Sequence, residues 1–219
     1  MFHHRAAGKK VSRRGRTAGA AACAGAAALI AIVVGTQTAA ATVTAAGPGL
    51  GSGSLIQSED FFQQGLAPVG ATVGLSGKHA LSACSGEATM RTLTKGKAAA
   101  YAEVTWSFDT KDTSLTESLA EGSSGTSAAS YEKQLNQLVR GCQDEPAGHW
   151  YYGKAHAIDV KAGQGSWYPS YNGDGEVAGG VAVIHSGHRV GIVELTGQPS
   201  DDAGYMAGIA AAAVNRLAG

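Results

Sequence analysis

EVAGGVAVIHSGHRVGIVEL, residues 176–195, is the stretch whose reading decides the fold. Two apolar runs, 176–184 and 189–195, flank Ser186 and Gly187, and a small polar residue followed by Gly between two such runs reads as a tight hairpin turn. Strands joined this way pair antiparallel. Working outward, residues 101–109 give the clearest single strand. Val104, Trp106 and Phe108 alternate there with Glu103, Thr105, Ser107 and Asp109, the period-two pattern of a sheet with one wet face. Residues 150–161 alternate as well, with Ile158 and Val160 on one face and Asp159 opposed. After a loop beginning at 71, a further strand is placed around 87–94. The stretch 163–175, rich in Gly, aromatic and turn residues, reads as a loop.

Helices fall between and around these strands. Ser58, Glu59 and Asp60 ahead of Phe61, Phe62 and Leu66 read as a capped short helix, its acids at the positive end of the dipole, with Pro68 and Gly70 ending it. Beyond the Gly/Ser loop 122–127, Tyr131, Leu135, Leu138 and Cys142 recur at helical spacing up to Gly141. Ser200, Asp201 and Asp202 cap a last helix in which Met206, Ile209, Ala213 and Leu217 share a face. The expectation is an α+β fold, a curved antiparallel sheet with helices packed on it, in the order α-β-β-α-β-β-β-α.

Charge is distributed unevenly. Lys plus Arg and Asp plus Glu each number 17 in the 219 residues, yet six of the cations (Arg5, Lys9, Lys10, Arg13, Arg14 and Arg16) precede any acid, the first being Glu59. Residues 18–34 then run uncharged and end in LIAIVV, followed by small and hydroxylated residues. A cationic start, a short apolar run and a small-residue stretch are the parts of a secretory signal. A retained anchor is the second reading, because a permanent span needs about 20 apolar residues and this run has 17, many of them Ala. Cys23 lies too early for lipidation, and Gly15 and Arg16 follow Arg13 and Arg14 where a twin-Arg signal would place apolar residues. Residues 1–46 are therefore read as signal peptide or signal-anchor, 47–54 as a Gly/Ser linker and 55–219 as one extracytoplasmic domain.

Past residue 46 the chain holds 11 Lys/Arg against 17 Asp/Glu, a net charge of −6. Taken as a whole, such a surface has no reason to seek nucleic acid or an anionic membrane. With Cys23 in the leader, Cys84 and Cys142 remain, and an even pair in an exported chain reads as one disulfide. It would contribute about 3–4 kcal/mol through loop closure.

Catalytic signals are sparse. There is no G-x-S-x-G, P-loop or dinucleotide fingerprint, and no cofactor is expected. His185 and His188 bracket the hairpin turn, with His149 and His156 upstream; solvated turn histidines explain them better than a zinc site, which needs three or four converging ligands. The loop around Asn172, Asp174 and Gly175 fails as an EF-hand, because the twelfth position from Ser170 is Val181. Gly179 and Gly180, inside a strand, read as a bulge or close packing. The aromatics are concentrated: Trp150, Tyr151, Tyr152, Trp167, Tyr168 and Tyr171 lie within 22 residues. Either they cover the open face of the sheet, or Trp167, Tyr168 and Tyr171 line a ligand cleft.

Three segments together resemble the PknH-like extracellular sensor domain family: YEKQLNQLVRGC (131–142), the strands GVAVI (180–184) and RVGIVEL (189–195), and the Ala-rich terminal helix. Members occur fused to mycobacterial Ser/Thr kinases and free-standing in actinobacterial exported proteins, which the Ala/Gly-rich composition fits. The resemblance spans residues 55–217 and implies a non-catalytic domain with a cleft for an extracellular small molecule, lipid or glycan. Two departures stand out: this sequence has no kinase segment, and one cysteine pair where kinase-linked members carry two. The competing classes are a small exported hydrolase using His185 or His188, and a structural cell-envelope protein.

Overall fold

A computed structural model describes residues 49–81, 86–110, 112–197, 202 and 204–219, all within the compact unit Ala45–Gly219. The expected signal or anchor segment lies outside the described residues. Among those described, no helix is long and apolar enough to cross a membrane.

Eight strands form one antiparallel sheet: β1 (Pro68–Gly74), β2 (Ala100–Phe108), β3 (Ser114–Glu121), β4 (Tyr151–Tyr152), β5 (His156–Val160), β6 (Gly163–Tyr171), β7 (Val177–Ser186) and β8 (Arg189–Thr196). Their order across the sheet is β1-β2-β3-β8-β7-β6-β4, with β5 also on β6, so the sheet is not closed. Four helices accompany it: α1 (Ser58–Phe62), α2 (Met90–Leu93), α3 (Gly125–Arg140) and α4 (Tyr205–Leu217). The α+β class and the antiparallel pairing are as the sequence predicts, and the hairpin of β7 and β8 turns at Ser186 and Gly187 with Ser186 opposite Arg189.

Both faces of the sheet are covered, in place of the expected wet face. Successive residues on a strand point to opposite sides, and the two sets end in two separate cores. Ala102, Val104, Leu115, Leu119, Ala182, Ile184, Val193 and Leu195 pack with Phe61 of α1 and with Met206, Ile209, Ala213 and Leu217 of α4. Tyr101, Ala120, Val181, Val183, Val190 and Ile192 pack with Met90 of α2 and with Tyr131, Leu135 and Val139 of α3. The second face stays wet toward β1, where Ser107 is exposed and Thr105 half-buried, and at β5 and the start of β6, where Ala157, Asp159 and Gln164 are exposed.

The helix boundaries follow local chemistry. The Ser124 hydroxyl accepts the Ser127 N–H at 3.2 Å and starts α3. Ahead of α1 the Gln57 N–H donates to Asp60 Oδ2 at 2.8 Å, so Gln57, one residue before the expected Ser58, is the cap. Gly204 is the N-cap of α4 and donates its N–H to Asp202 Oδ1; Ser200 and Asp201 lie outside the described residues.

Two expectations need correction. The strand placed at 87–94 is instead the short helix α2, nucleated by the Thr89 hydroxyl accepting the Thr92 N–H, and the strand of that region is β1. Residues 163–171 are not a loop but β6, a central strand. Its Gly163 and Gly165 look like loop residues, yet a Cβ on Gly165 would run into the Val183 carbonyl of β7; glycine there serves close strand approach rather than a turn. Within the expected linker, Gly49, Ser52 and Gly53 are exposed, while Leu50 is buried and its N–H donates to Glu121 Oε2 at 3.2 Å.

That last contact orients the sheet. The chain enters the domain at the end where β2 starts and β3 and its Glu121 finish. Arg189, first residue of β8, donates to the Leu217 and Gly219 carbonyls at the same end. The opposite end, with Tyr152, Ser170 and Thr196, is the one that opens.

Candidate functional site: a cleft at the far end of the sheet

A cleft of about 360 Å³ is lined by Trp150, Tyr152, Ser170, Ala178, Gly180, Glu194, Leu195, Thr196 and Gly197. Four backbone features build it. β4 is held to the end of α3 by the Tyr152 N–H donating to the Cys142 carbonyl at 3.0 Å, and pairs Tyr152 opposite Ser170. β6 shifts register between Pro169 and Tyr171, a bulge that suits a proline lacking a ladder donor. Gly179, with φ +110°, brings β7 so close to β8 that a Cβ would meet the Leu195 carbonyl. Small residues at 178, 180 and 197 then leave the space open.

The chemistry within is polar and buried. Glu194 is 2% exposed, in the middle of an apolar strand. Tyr152 is 4% exposed; burial, reinforced by the charge of Glu194, raises its phenol far above the usual range, so it is always protonated. Ser170 is 1% exposed, and its hydroxyl has no hydrogen-bond partner. A buried hydroxyl left this way costs roughly 1–3 kcal/mol, a cost that a ligand's own polar group would relieve. At the rim Trp150, 37% exposed, stands edge-on to Tyr152 at 4.5 Å between ring centroids. The cleft thus has hydroxyls and a carboxylate inside and an aromatic at its mouth.

The three aromatics singled out in the sequence are not brought together. Trp167 and Tyr168 are consecutive on β6 and face opposite sides. Trp167 is buried in the α4-side core, stacked on His156 at 4.2 Å. Tyr168 is buried in the α3-side core, its hydroxyl donating to Asn136 Oδ1 at 3.2 Å. Covering the sheet, the other reading of these aromatics, describes both. Tyr171 is half-buried and stacks on Tyr151 at 5.2 Å, beside a second, open groove of about 460 Å³ lined by Tyr151, Gln143, Glu145 and Asp174. The cleft's own residues, Tyr152, Ser170 and Glu194, carry one legible signal: a carboxylate inside the apolar run GIVEL.

The turn histidines are also placed. His185 Nδ1 lies 3.1 Å from Glu132 Oε2 of α3, and its Nε2 lies 3.0 Å from the Gly187 carbonyl. Both of these partners only accept, so a neutral imidazole donates to one of them, the Glu132 carboxylate or the Gly187 carbonyl. Cys142 is buried at the end of α3, where the sequence predicts it; Cys84 lies outside the described residues.

No protein-family model and no curated protein matches the chain. Among solved structures the fold is similar to the crystal structure of the extracellular domain of PknH from Mycobacterium tuberculosis, with a TM-score of 0.51 and 14% identity over 76% of this chain and 93% of that one.

Proposed function

We propose that this chain is an exported, non-catalytic binding domain of the sensor type, whose cleft takes a small hydroxylated ligand such as a glycan fragment. The observation that carries the reading is the Ser170 hydroxyl, buried on the cleft wall without a partner. Supporting it are the fold likeness to an extracellular sensor domain and the cationic and apolar start of the sequence. Membership of the PknH-like family and an extracytoplasmic location belong to the same proposal.

A Cys84–Cys142 disulfide belongs to it too, supported by the even cysteine pair past the leader and by Cys142 lying buried at the end of α3. Such a bond would fasten α3 and, through the Cys142 carbonyl, the β4 strand that carries Tyr152. Non-reducing peptide mapping checks it.

The function is tested by calorimetry with a panel of monosaccharides, inositol, cell-wall glycan fragments and fatty acids, on the native chain and on Trp150→Ala. A saccharide or polyol that binds natively and weakens at least tenfold in the variant supports the reading. Binding confined to fatty acids, or indifferent to Trp150, sinks the ligand class or the site. Turnover of a bound glycan that disappears in His185→Ala/His188→Ala would move the chain to the hydrolase class.

A further inference from the structure

The corner of the sheet opposite the cleft carries the reverse chemistry. Residues 75–99 hold Lys78, Arg91, Lys95 and Lys97 and a single acid, Glu87, in a domain whose net charge is −6. The structure gathers these cations where β1 ends and β2 begins. Arg91 lies over the Tyr101 ring at 4.7 Å and its Nε donates to the Ser76 carbonyl at 2.8 Å. The Ala99 N–H donates to the Glu121 carbonyl, which fixes the turn bearing Lys95 and Lys97 to the same end. Lys78, Lys95 and Lys97 are exposed. Two nearby carboxylates have other partners: Glu103 is buried and accepts from Ser76 Oγ and the His79 N–H, while Glu121 accepts the Leu50 N–H. Two apolar side chains are exposed at the free edge of β1, Val73 at 50% and Leu75 at 62%, Val73 sharing the face of Val104, away from Tyr101 and Arg91.

We infer that this corner is a membrane-apposed surface, its occupant the headgroup layer of an anionic phospholipid bilayer. Two observations select that partner. The charge of the exposed lysines is complementary to anionic headgroups. The corner also lies at the end where the chain enters the domain, downstream of the cationic and apolar segment that reads as membrane-directed. The inference rests on the tethered form of the proposed function and leaves the cleft facing away from the bilayer.

The full chain is mixed with vesicles of phosphatidylcholine alone or with phosphatidylglycerol added, and followed by flotation and by amide hydrogen exchange. A tethered chain floats with both; slower exchange over 73–78 and 95–98 with phosphatidylglycerol only, lost in Lys78→Glu/Lys95→Glu/Lys97→Glu, is the expected result. Flotation with phosphatidylglycerol alone, abolished in that variant, sinks the tether but keeps the surface. Flotation with both and no slowing, equal slowing on neutral vesicles, or no flotation at all overturns the surface. Soluble polyphosphate producing the same slowing without vesicles would overturn the bilayer in favour of a wall polyanion. Lys→Gln at the three positions, which removes charge without reversing it, must give a partial loss; no loss also overturns the proposal.

Discussion

Glu117 of β3 and Glu194 of β8 sit one register step apart, Glu117 opposite Val193 and Thr116 opposite Glu194, and both are almost wholly buried. They face opposite sides of the sheet and meet opposite surroundings. Glu117 lies under the segment that leads into α1, its Oε2 accepting the Ile56 N–H at 2.6 Å while its Oε1 has no partner. Glu194 lines a cleft beside Tyr152 and Ser170. One carboxylate is sealed into the packing of the chain's first turns; the other lies where a ligand can reach. Burial alone therefore does not mark a site, and the space around the group does.

The largest test of that contrast concerns the two faces. Ile209→Ala on the α4 side and Leu135→Ala on the α3 side each delete a fully buried side chain. Each is expected to cost about 2–5 kcal/mol, read as a lower urea midpoint with an unchanged slope. Equal slopes would show one cooperative unit across the sheet. A shallow slope for Leu135→Ala alone would mean that the cleft face unfolds by itself.

Glu117→Gln comes next. Burial pushes the Glu117 carboxyl up to about 8, against the pull of the Ile56 N–H, with the charge of Asp60 adding to the rise. The folded state thus holds a proton that the unfolded chain releases near 4.5. Stability therefore falls as pH climbs from there toward 8 and is level beyond. Glutamine keeps the acceptor for Ile56 without the charge, so the variant gains stability relative to the native chain, most at pH 8–9, on the order of a few kcal/mol. A denaturation series from pH 5 to 9 in which both proteins keep the same slope would refute it.

Ser170→Ala probes the other face. Removing a buried hydroxyl with no partner is expected to leave stability unchanged or raise it by about 1 kcal/mol, while weakening the cleft's ligand by a similar free energy, roughly five- to tenfold. Stability and binding moving in opposite directions distinguish a recognition group from a packing one. If both fall, Ser170 is structural.

The fold was legible where periodicity was unbroken. Val181, Val183, Val190 and Ile192 face one core while Ala182, Ile184, Val193 and Leu195 face the other, so these strands read as continuous apolar runs, and α4 showed its buried face residue by residue. It was illegible where burial on both faces defeated alternation. β3, SLTESLAE, carries a buried Glu117 and Ser118 that make it look like solvent-facing chain, and no strand was read there. β6 hides behind glycines that serve close strand approach. For the cleft, the aromatic-rich segments pointed to the right region, but the residues that line it were invisible individually. Ser170 is one of many serines, and what distinguishes it is a missing partner, a property of three-dimensional packing. Glu194 was the exception, a charge amid apolar neighbours, as is Glu117; no feature of sequence separates the one that meets a cleft from the one that does not.

The smallest expected effect joins the Glu117 face to the surface. Arg216 of α4 holds Glu59 Oε1 at 2.6 Å and Asp60 Oδ2 at 2.9 Å, tying α1 to α4 above Glu117. The backbone N–H and then the Arg216 guanidinium hold the Glu59 carboxyl below its ordinary value. Its contribution is present above the unfolded value and lost as pH falls through the folded one, the reverse of Glu117. Arg216→Met keeps the aliphatic packing and removes the charge. With Arg216 partly solvated, the loss is at most about 1 kcal/mol near pH 7 and shrinks with added salt. The decisive reading is the shape of the pH profile. The acid limb should flatten, while the alkaline limb moves slightly to higher pH, because Arg216 also lowers Glu117 a little through its charge. An alkaline limb that does not move would mean that the surface cluster and the sealed carboxylate titrate independently, and one displaced to lower pH that Arg216 does not favour the ionised Glu117.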